Sequence, residues 1–167
     1  MVRIYEGAPR QNYEEVLRSV GAILDQRGMR EITLAETDDG FIVQGLALLP
    51  GEDRQWHDPT ARLAKETFLL REDDISRFMD EGLARREGRG RNVPGPKHPS
   101  GFYETALRVI GGYFDQQQPH DVFFFEQDQQ FVIRLLMPTR AGLRHVLVEF
   151  TREEIDAMIN SSHRGRT

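Results

Sequence analysis

The 167-residue chain has no cysteine. Disulfides, thiolate nucleophiles and Cys-ligated zinc are therefore excluded, and the composition suits a reducing compartment. It also lacks any long apolar run. The longest mostly apolar stretch, "FIVQGLALLP" at 41–50, falls far short of the roughly 20 residues a spanning helix needs. The opening "MVRIYEGAPR" has no apolar core of a secretory signal. A soluble, cytoplasmic protein with no membrane partner is the expectation. Lysine is nearly absent: Lys65 and Lys97 stand among 22 basic residues, and the rest are arginine.

Signatures of catalysis are missing too. Five histidines are present, His57, His98, His120, His145 and His163, and no two lie four residues apart. That removes the HExxH arrangement of zinc hydrolases. There is no GxSxG, no P-loop and no dinucleotide glycine fingerprint. "GRGRNVPG" follows an expected helix, whereas a phosphate loop follows a strand. His145 reads as a strand residue, and His120-Asp121 as turn chemistry after Pro119. No catalytic residue, metal ligand or cofactor is assigned. A small acid/His-dependent enzyme would need His57, His120 or His145 to converge with carboxylates.

Charge is present but uneven. Residues 1–84 carry 10 basic and 17 acidic side chains, residues 85–101 carry 5 and 1, and residues 102–167 carry 7 and 9, giving −7, +4 and −2 and the chain's −5. An acidic body argues against a dedicated nucleic-acid binder.

The chain does contain itself twice. Residues 13–46 align with 103–136 at a constant offset of 90 with no gap, and 11 of the 34 pairs are identical. About two are expected by chance, so we read a tandem duplication. The identities are Tyr13/Tyr103, Glu14/Glu104, Leu17/Leu107, Arg18/Arg108, Gly21/Gly111, Asp25/Asp115, Gln26/Gln116, Glu36/Glu126, Asp38/Asp128, Phe41/Phe131 and Leu46/Leu136. Farther on, "TFLLREDDISRFM" corresponds to "VEFTREEIDAMI" at a shorter offset, so the first copy holds about ten extra residues in its middle loop.

Each copy reads as helix, three strands, helix. Tyr13, Leu17, Val20 and Leu24 recur at helical spacing, as do Ala106, Leu107, Ile110 and Phe114. Asn12 is an N-cap with Glu15 as capping-box partner, and Gly28 is a stop. Asp39-Gly40 suits a tight hairpin; Asp128-Gln129 lacks the glycine, which predicts a looser turn. Acidic clusters at Glu72-Asp73-Asp74 and Glu153-Glu154 favour helix N-termini, with Thr151 capping the second. Repeat one (1–86) has helices at 12–28 and 72–86 around strands 31–36, 41–48 and 65–70. Residues 87–101 are a Gly/Pro/Arg linker. Repeat two (102–167) has helices at 102–117 and 152–161 around strands 121–126, 131–137 and 145–150. The expected fold class is α+β: one compact domain of about six antiparallel strands covered by helices, its two copies related by a pseudo-twofold axis.

Three residue groups are candidates for a role. Arg18, Gly21, Asp25 and their repeats Arg108, Gly111, Asp115 share one stripe of the first helix of each copy. A mid-helix glycine costs about 1 kcal/mol relative to alanine, so its repetition suggests close packing. The expectation is a structural seam with Arg18 facing Asp115 and Arg108 facing Asp25. The loop "PGEDRQWHDPTAR", 50–62, holds the only tryptophan, and Arg54, Trp56 and His57 form a candidate interaction loop. Arg85, Arg86, Arg89, Arg91, Lys97, Arg164 and Arg166 form a candidate basic patch for phosphates or an acidic partner.

The layout resembles two known architectures, the TATA-binding-protein saddle and the secretion-chaperone-like α+β fold. The first implies a basic concave sheet, toward which the strands offer Arg134 and Lys65. The second implies a helix-flanked sheet presented to a protein partner. Both are likenesses of architecture and carry no functional residue across. The functional expectation is a non-enzymatic protein-binding or adaptor domain, its partner another protein or a second copy. The alternative is a weak nucleic-acid or phosphate-ligand binder working through the arginine-rich linker and tail.

Overall fold

Alternating apolar residues drive six strands of this chain into one sheet. A computed structural model describes residues 12–71, 73–77, 80, 102–128 and 130–164. The chain runs through α1 (Tyr13–Gln26), β1 (Arg30–Thr37), β2 (Gly40–Leu48), β3 (Leu63–Arg71), α2 (Phe102–Gln117), β4 (Asp121–Gln127), β5 (Gln130–Thr139), β6 (Gly142–Phe150) and α3 (Arg152–Arg164). Residues 73–77 and 80 are helical as well; the remainder of the helix expected at 72–86 lies outside the described residues, as does the linker. The sheet is antiparallel and open, in the order β3-β2-β1-β4-β5-β6. One sheet therefore spans both halves of the chain, joined at β1 and β4, where Leu34 lies opposite Phe124.

One face of the sheet carries the core. Ile32, Leu34, Phe41 and Val43 from the first half, and Val122, Phe124, Phe131 and Ile133 from the second, are buried against α1 and α2. Ile75 and α3, through Ile155, Met158 and Ile159, add to the same cluster. Helix ends follow local chemistry. The Glu15 N–H donates to Asn12 Oδ1 at 2.9 Å. Thr151 and Glu154 form a reciprocal capping box, with the Glu154 N–H donating to Thr151 Oγ1 at 3.1 Å and the Thr151 N–H to Glu154 Oε1 at 3.4 Å.

α1 and α2 cross at their glycines. A Cβ on Gly21 would overlap the Tyr103 carbonyl and lie 2.8 Å from Glu104 Cα; one on Gly111 would overlap the Tyr13 carbonyl and lie 2.8 Å from Glu14 Cα. Each glycine thus admits the first turn of the other helix. The charged partners differ from the expected ones. Asp115 accepts from the Tyr13 and Glu14 N–H groups at 2.8 and 3.1 Å, and Asp25 accepts from those of Tyr103 and Glu104 at 3.1 and 2.9 Å. Each aspartate, near the end of one helix, caps the start of the other, where unpaired amides and the helix dipole favour an anion. The arginines turn to the glutamates instead: Arg18 to Glu104 at 3.6 Å and Arg108 to Glu14 at 3.8 Å. The carboxylates expected to face the arginines are already taken by backbone amides.

A second pair of contacts ties each helix to its strands. The Tyr13 hydroxyl donates to Glu36 at 2.7 Å, and the Tyr103 hydroxyl donates to Glu126. Burial and then the Glu126 carboxylate raise the Tyr103 hydroxyl well above its ordinary range.

The turn expected to be looser is tight. Gln127 pairs with Gln130 just as Thr37 pairs with Gly40. Asp128 takes the left-handed conformation itself, at φ 52°, a region that short polar side chains tolerate. β5 and β6 are joined by a further two-residue turn, with Thr139 opposite Gly142.

Candidate functional site

All the helical segments bury their apolar residues on one side of the sheet, which leaves the other side without a helix among the described residues. Strand register defines what that side displays, since directly opposite residues share a face. One row crosses all six strands: Leu69, Ile42, Ala35, Phe123, Arg134, Leu147. The next reads Thr67, Gln44, Thr33, Phe125, Val132, Glu149. The exposed large hydrophobics among the described residues, Ile42 (41%), Leu63 (40%), Leu69 (40%), Leu143 (53%) and Leu147 (74%), all lie on this face. Exposed leucines scattered singly need no explanation, whereas these are confined to one face.

The face is also the basic side of an acidic protein. Arg30, Lys65, Arg71 and Arg134 oppose Asp121 and Glu149, four against two, or +2 on a chain of −5. Arg30 belongs here through a bulge: it pairs with Leu46, while Thr33 pairs with Gln44, so Glu31 and Ile32 share one partner position. Glu31 takes φ 52° and donates its N–H to Glu126 at 3.0 Å. Arg134 stacks on Phe123, 5.3 Å from the ring centroid, and its Nε is buried without a hydrogen-bond partner.

The 50–62 loop folds over the rim of this face. Trp56 is half-buried, with the Arg30 guanidinium 5.0 Å from its ring centroid. Glu52, which the sequence did not single out, organises the loop. Its side chain, 4% exposed, accepts from the Arg54 N–H at 3.0 Å and from the Arg62 N–H and Nε–H at 3.1 and 3.0 Å. The Arg54 amide and then Arg62 hold the Glu52 carboxyl down at about 2. Arg54 is spent inside the loop, donating to the Thr60 carbonyl at 2.6 Å. Asp58 accepts from the Thr60 N–H and hydroxyl at 2.8 and 2.6 Å, which lowers its pKa. His57 is exposed. Of the three candidate loop residues, Trp56 meets a residue of the open face, through Arg30. A signal for Glu52 was available: a carboxylate two residues before one arginine and ten before another can bracket a loop.

The remaining candidates fall elsewhere. Arg85, Arg86, Arg89, Arg91, Lys97 and Arg166 lie outside the described residues, and Arg164 ends α3. His145, on the open face, pairs with Leu136, and the His120 N–H donates to the Leu136 carbonyl at 2.6 Å. Among the described residues no three His, Asp or Glu side chains are grouped to hold a metal ion, and no helix is long and apolar enough to cross a membrane.

Comparison with protein-family models, with curated proteins and with solved structures returns no match for this chain.

Proposed function

We propose that this chain is a non-enzymatic protein-binding domain, and that its docking surface is the uncovered sheet face with Trp56 at the rim. The observation that carries the reading is the segregation of the exposed apolar side chains to that face, together with its positive charge on a negative chain. Apolar rows with interspersed arginines suit an amphipathic segment of another protein whose apolar stripe is flanked by acidic residues. A pair of synthetic amphipathic peptides tests this, one with a leucine stripe flanked by glutamates and one flanked by lysines. The glutamate peptide is expected to bind in a salt-sensitive manner, and Ile42→Asp and Phe123→Asp to abolish binding. Equal binding of both peptides, or binding that survives these substitutions, removes the reading.

We further infer that repeat one (1–86) and repeat two (102–167) descend from a tandem duplication and that their described residues are related by a pseudo-twofold axis. Support comes from the identities at an offset of 90 and from what those residues do. The repeated glycines, aspartates, arginines and tyrosines each make the same contact from opposite sides. Leu34 and Phe124, which occupy matching positions in the two copies, lie opposite each other where the halves meet.

A further inference from the structure

Among the described residues, the two outer strands leave different free edges. The pair closing a two-residue hairpin is a hydrogen-bonded pair, so Thr139 and Gly142 set the pattern for β6. The backbone groups of Arg144, Val146 and Val148 turn toward β5, and those of Leu143, His145, Leu147 and Glu149 turn to the free edge. At the opposite edge, β3 has Lys65 and Glu66 side by side near its middle. Between His145 and Glu149, β6 has Val146, Leu147 and Val148, and Leu147 is 74% exposed. Charged residues blunt an edge strand against pairing; an aliphatic edge invites it.

We propose that β6 pairs antiparallel with β6 of a second copy of this chain, about a twofold axis through Leu147, joining the two sheets edge to edge. The strand's own sequence selects the register. Centred on Leu147, His145 faces Glu149 of the second copy, Val146 faces Val148, and Arg144 faces Phe150, each pair occurring twice, as a self-complementary interface requires. Centred on Val146, His145 would face Leu147 and Leu143 would face Glu149. Centred on His145, two imidazoles would meet and Glu149 would lie beyond the strand's partner. Of these registers, only the one centred on Leu147 sets His145 against Glu149 while it keeps Leu147 against Leu147 and Val146 against Val148. In it the outward-turned groups of His145, Leu147 and Glu149 meet those of Glu149, Leu147 and His145 across the axis. The pairing uses the sheet edge, so it stands independently of ligand binding on the face.

Sedimentation velocity of the intact chain over a concentration series tests the proposal. A monomer–dimer equilibrium is expected, with a Kd of about micromolar, because one strand per copy makes a small interface. Leu147→Lys sets two ammonium groups together at the axis and is expected to abolish the dimer. His145→Glu sets glutamate against Glu149 on both sides and weakens it about tenfold or more; adding Glu149→Lys restores it. All three side chains are exposed, and circular dichroism checks that the variants fold. A monomer at every concentration overturns the proposal, as does a dimer indifferent to Leu147→Lys. A dimer lost in His145→Glu and not regained in the double variant overturns the register.

Discussion

The two halves of the sheet share a seam and differ at the periphery. At the seam the same residue types meet from both sides: glycine on a helix start, aspartate on amides, arginine on glutamate. Away from it the halves diverge. The first half fills its core with Leu24 and Leu34, where the second has Phe114 and Phe124 in ring contact at 6.2 Å. The first half carries a bulge and the Trp56 loop, and its outer strand is covered on the core side by Arg27, which pairs with Glu66 at 3.9 Å and lies 4.8 Å from the Phe68 ring centroid. The second half joins all three strands by two-residue turns, and the core-side residues Val146, Val148 and Phe150 of its outer strand are half-buried, as Ala64, Glu66 and Phe68 are in β3. The constraint is strictest where backbone meets backbone, because no side chain there can adjust; cores and edges tolerate exchange of volume and charge.

The strongest test of that contrast lies in three glycines. Gly21→Ala and Gly111→Ala each drive a methyl into the carbonyl of the opposing helix, and each is expected to cost about 3 kcal/mol. Thermal midpoints should fall by roughly 6–12 °C for a chain of this size. Gly112, one residue along, has only Glu14 Oε2 at 4.0 Å from an added Cβ. Gly112→Ala should therefore be neutral or gain up to about 1 kcal/mol from helix propensity. Urea unfolding of the three variants ranks them. Equal costs at positions 111 and 112 would break the distinction between seam and periphery.

A smaller effect separates the two capping aspartates. Burial pushes the Asp25 carboxyl up from 3.8 to about 6, against the lowering pull of the Glu104 and Tyr103 amides, and the Glu104 carboxylate adds to the rise. Burial raises Asp115 as well, against the Tyr13 and Glu14 amides. A raised carboxyl holds its proton more tightly in the folded state than in the unfolded chain. Its contribution to stability is thus complete below about 3.8 and is lost as the pH rises through about 6. Arg18 lies 3.6 Å from the Glu104 carboxylate that contributes to this rise. Urea midpoints measured from pH 4 to 7 should fall more steeply in the native chain than in Asp25→Asn, with Asp115→Asn flattening the curve less. Parallel curves for all three would show that neither carboxyl titrates in this window.

Much of this was legible in the chain, for identifiable reasons. Helical and alternating periodicities located α1, α2 and all six strands, because burial on one face leaves a period in the sequence. The repeated Gly21/Gly111 pointed to a helix crossing, because glycine inside a helix needs a compensating contact. The ion partners were not legible. Arg18 and Asp25 lie on one stripe, but which group an aspartate meets depends on the axial offset of two helices, which periodicity does not encode. Arg30 on the open face was hidden by the bulge, since Glu31 shifts the alternation by one. The open face itself was masked by its modest hydrophobicity: Gln44, Thr67 and Thr33 interrupt the rows, so β2 and β3 read as ordinary half-buried strands.

The smallest difference between the halves is the residue that ends each first helix. Gly28 and Gln118 occupy the same place after α1 and α2 and both lie in the left-handed region, at φ 63° and 52°. Glycine takes that conformation freely, whereas glutamine must push its Cβ toward its own backbone. Nothing lies within 4 Å of a Cβ built on Gly28, and Gln118 is exposed, so exchange at either position reports backbone strain with little packing. Gln118→Gly should stabilise the fold by about 0.5 kcal/mol, the relief of strain being partly offset by the greater freedom of glycine in the unfolded chain. Gly28→Gln should destabilise it by a similar amount, and the double exchange should return the urea midpoint close to its original value with an unchanged slope. A loss of stability in Gln118→Gly would mean that Gln118 makes a contact that outweighs its strain, and that the halves differ in how they end a helix as well as in what they place around it.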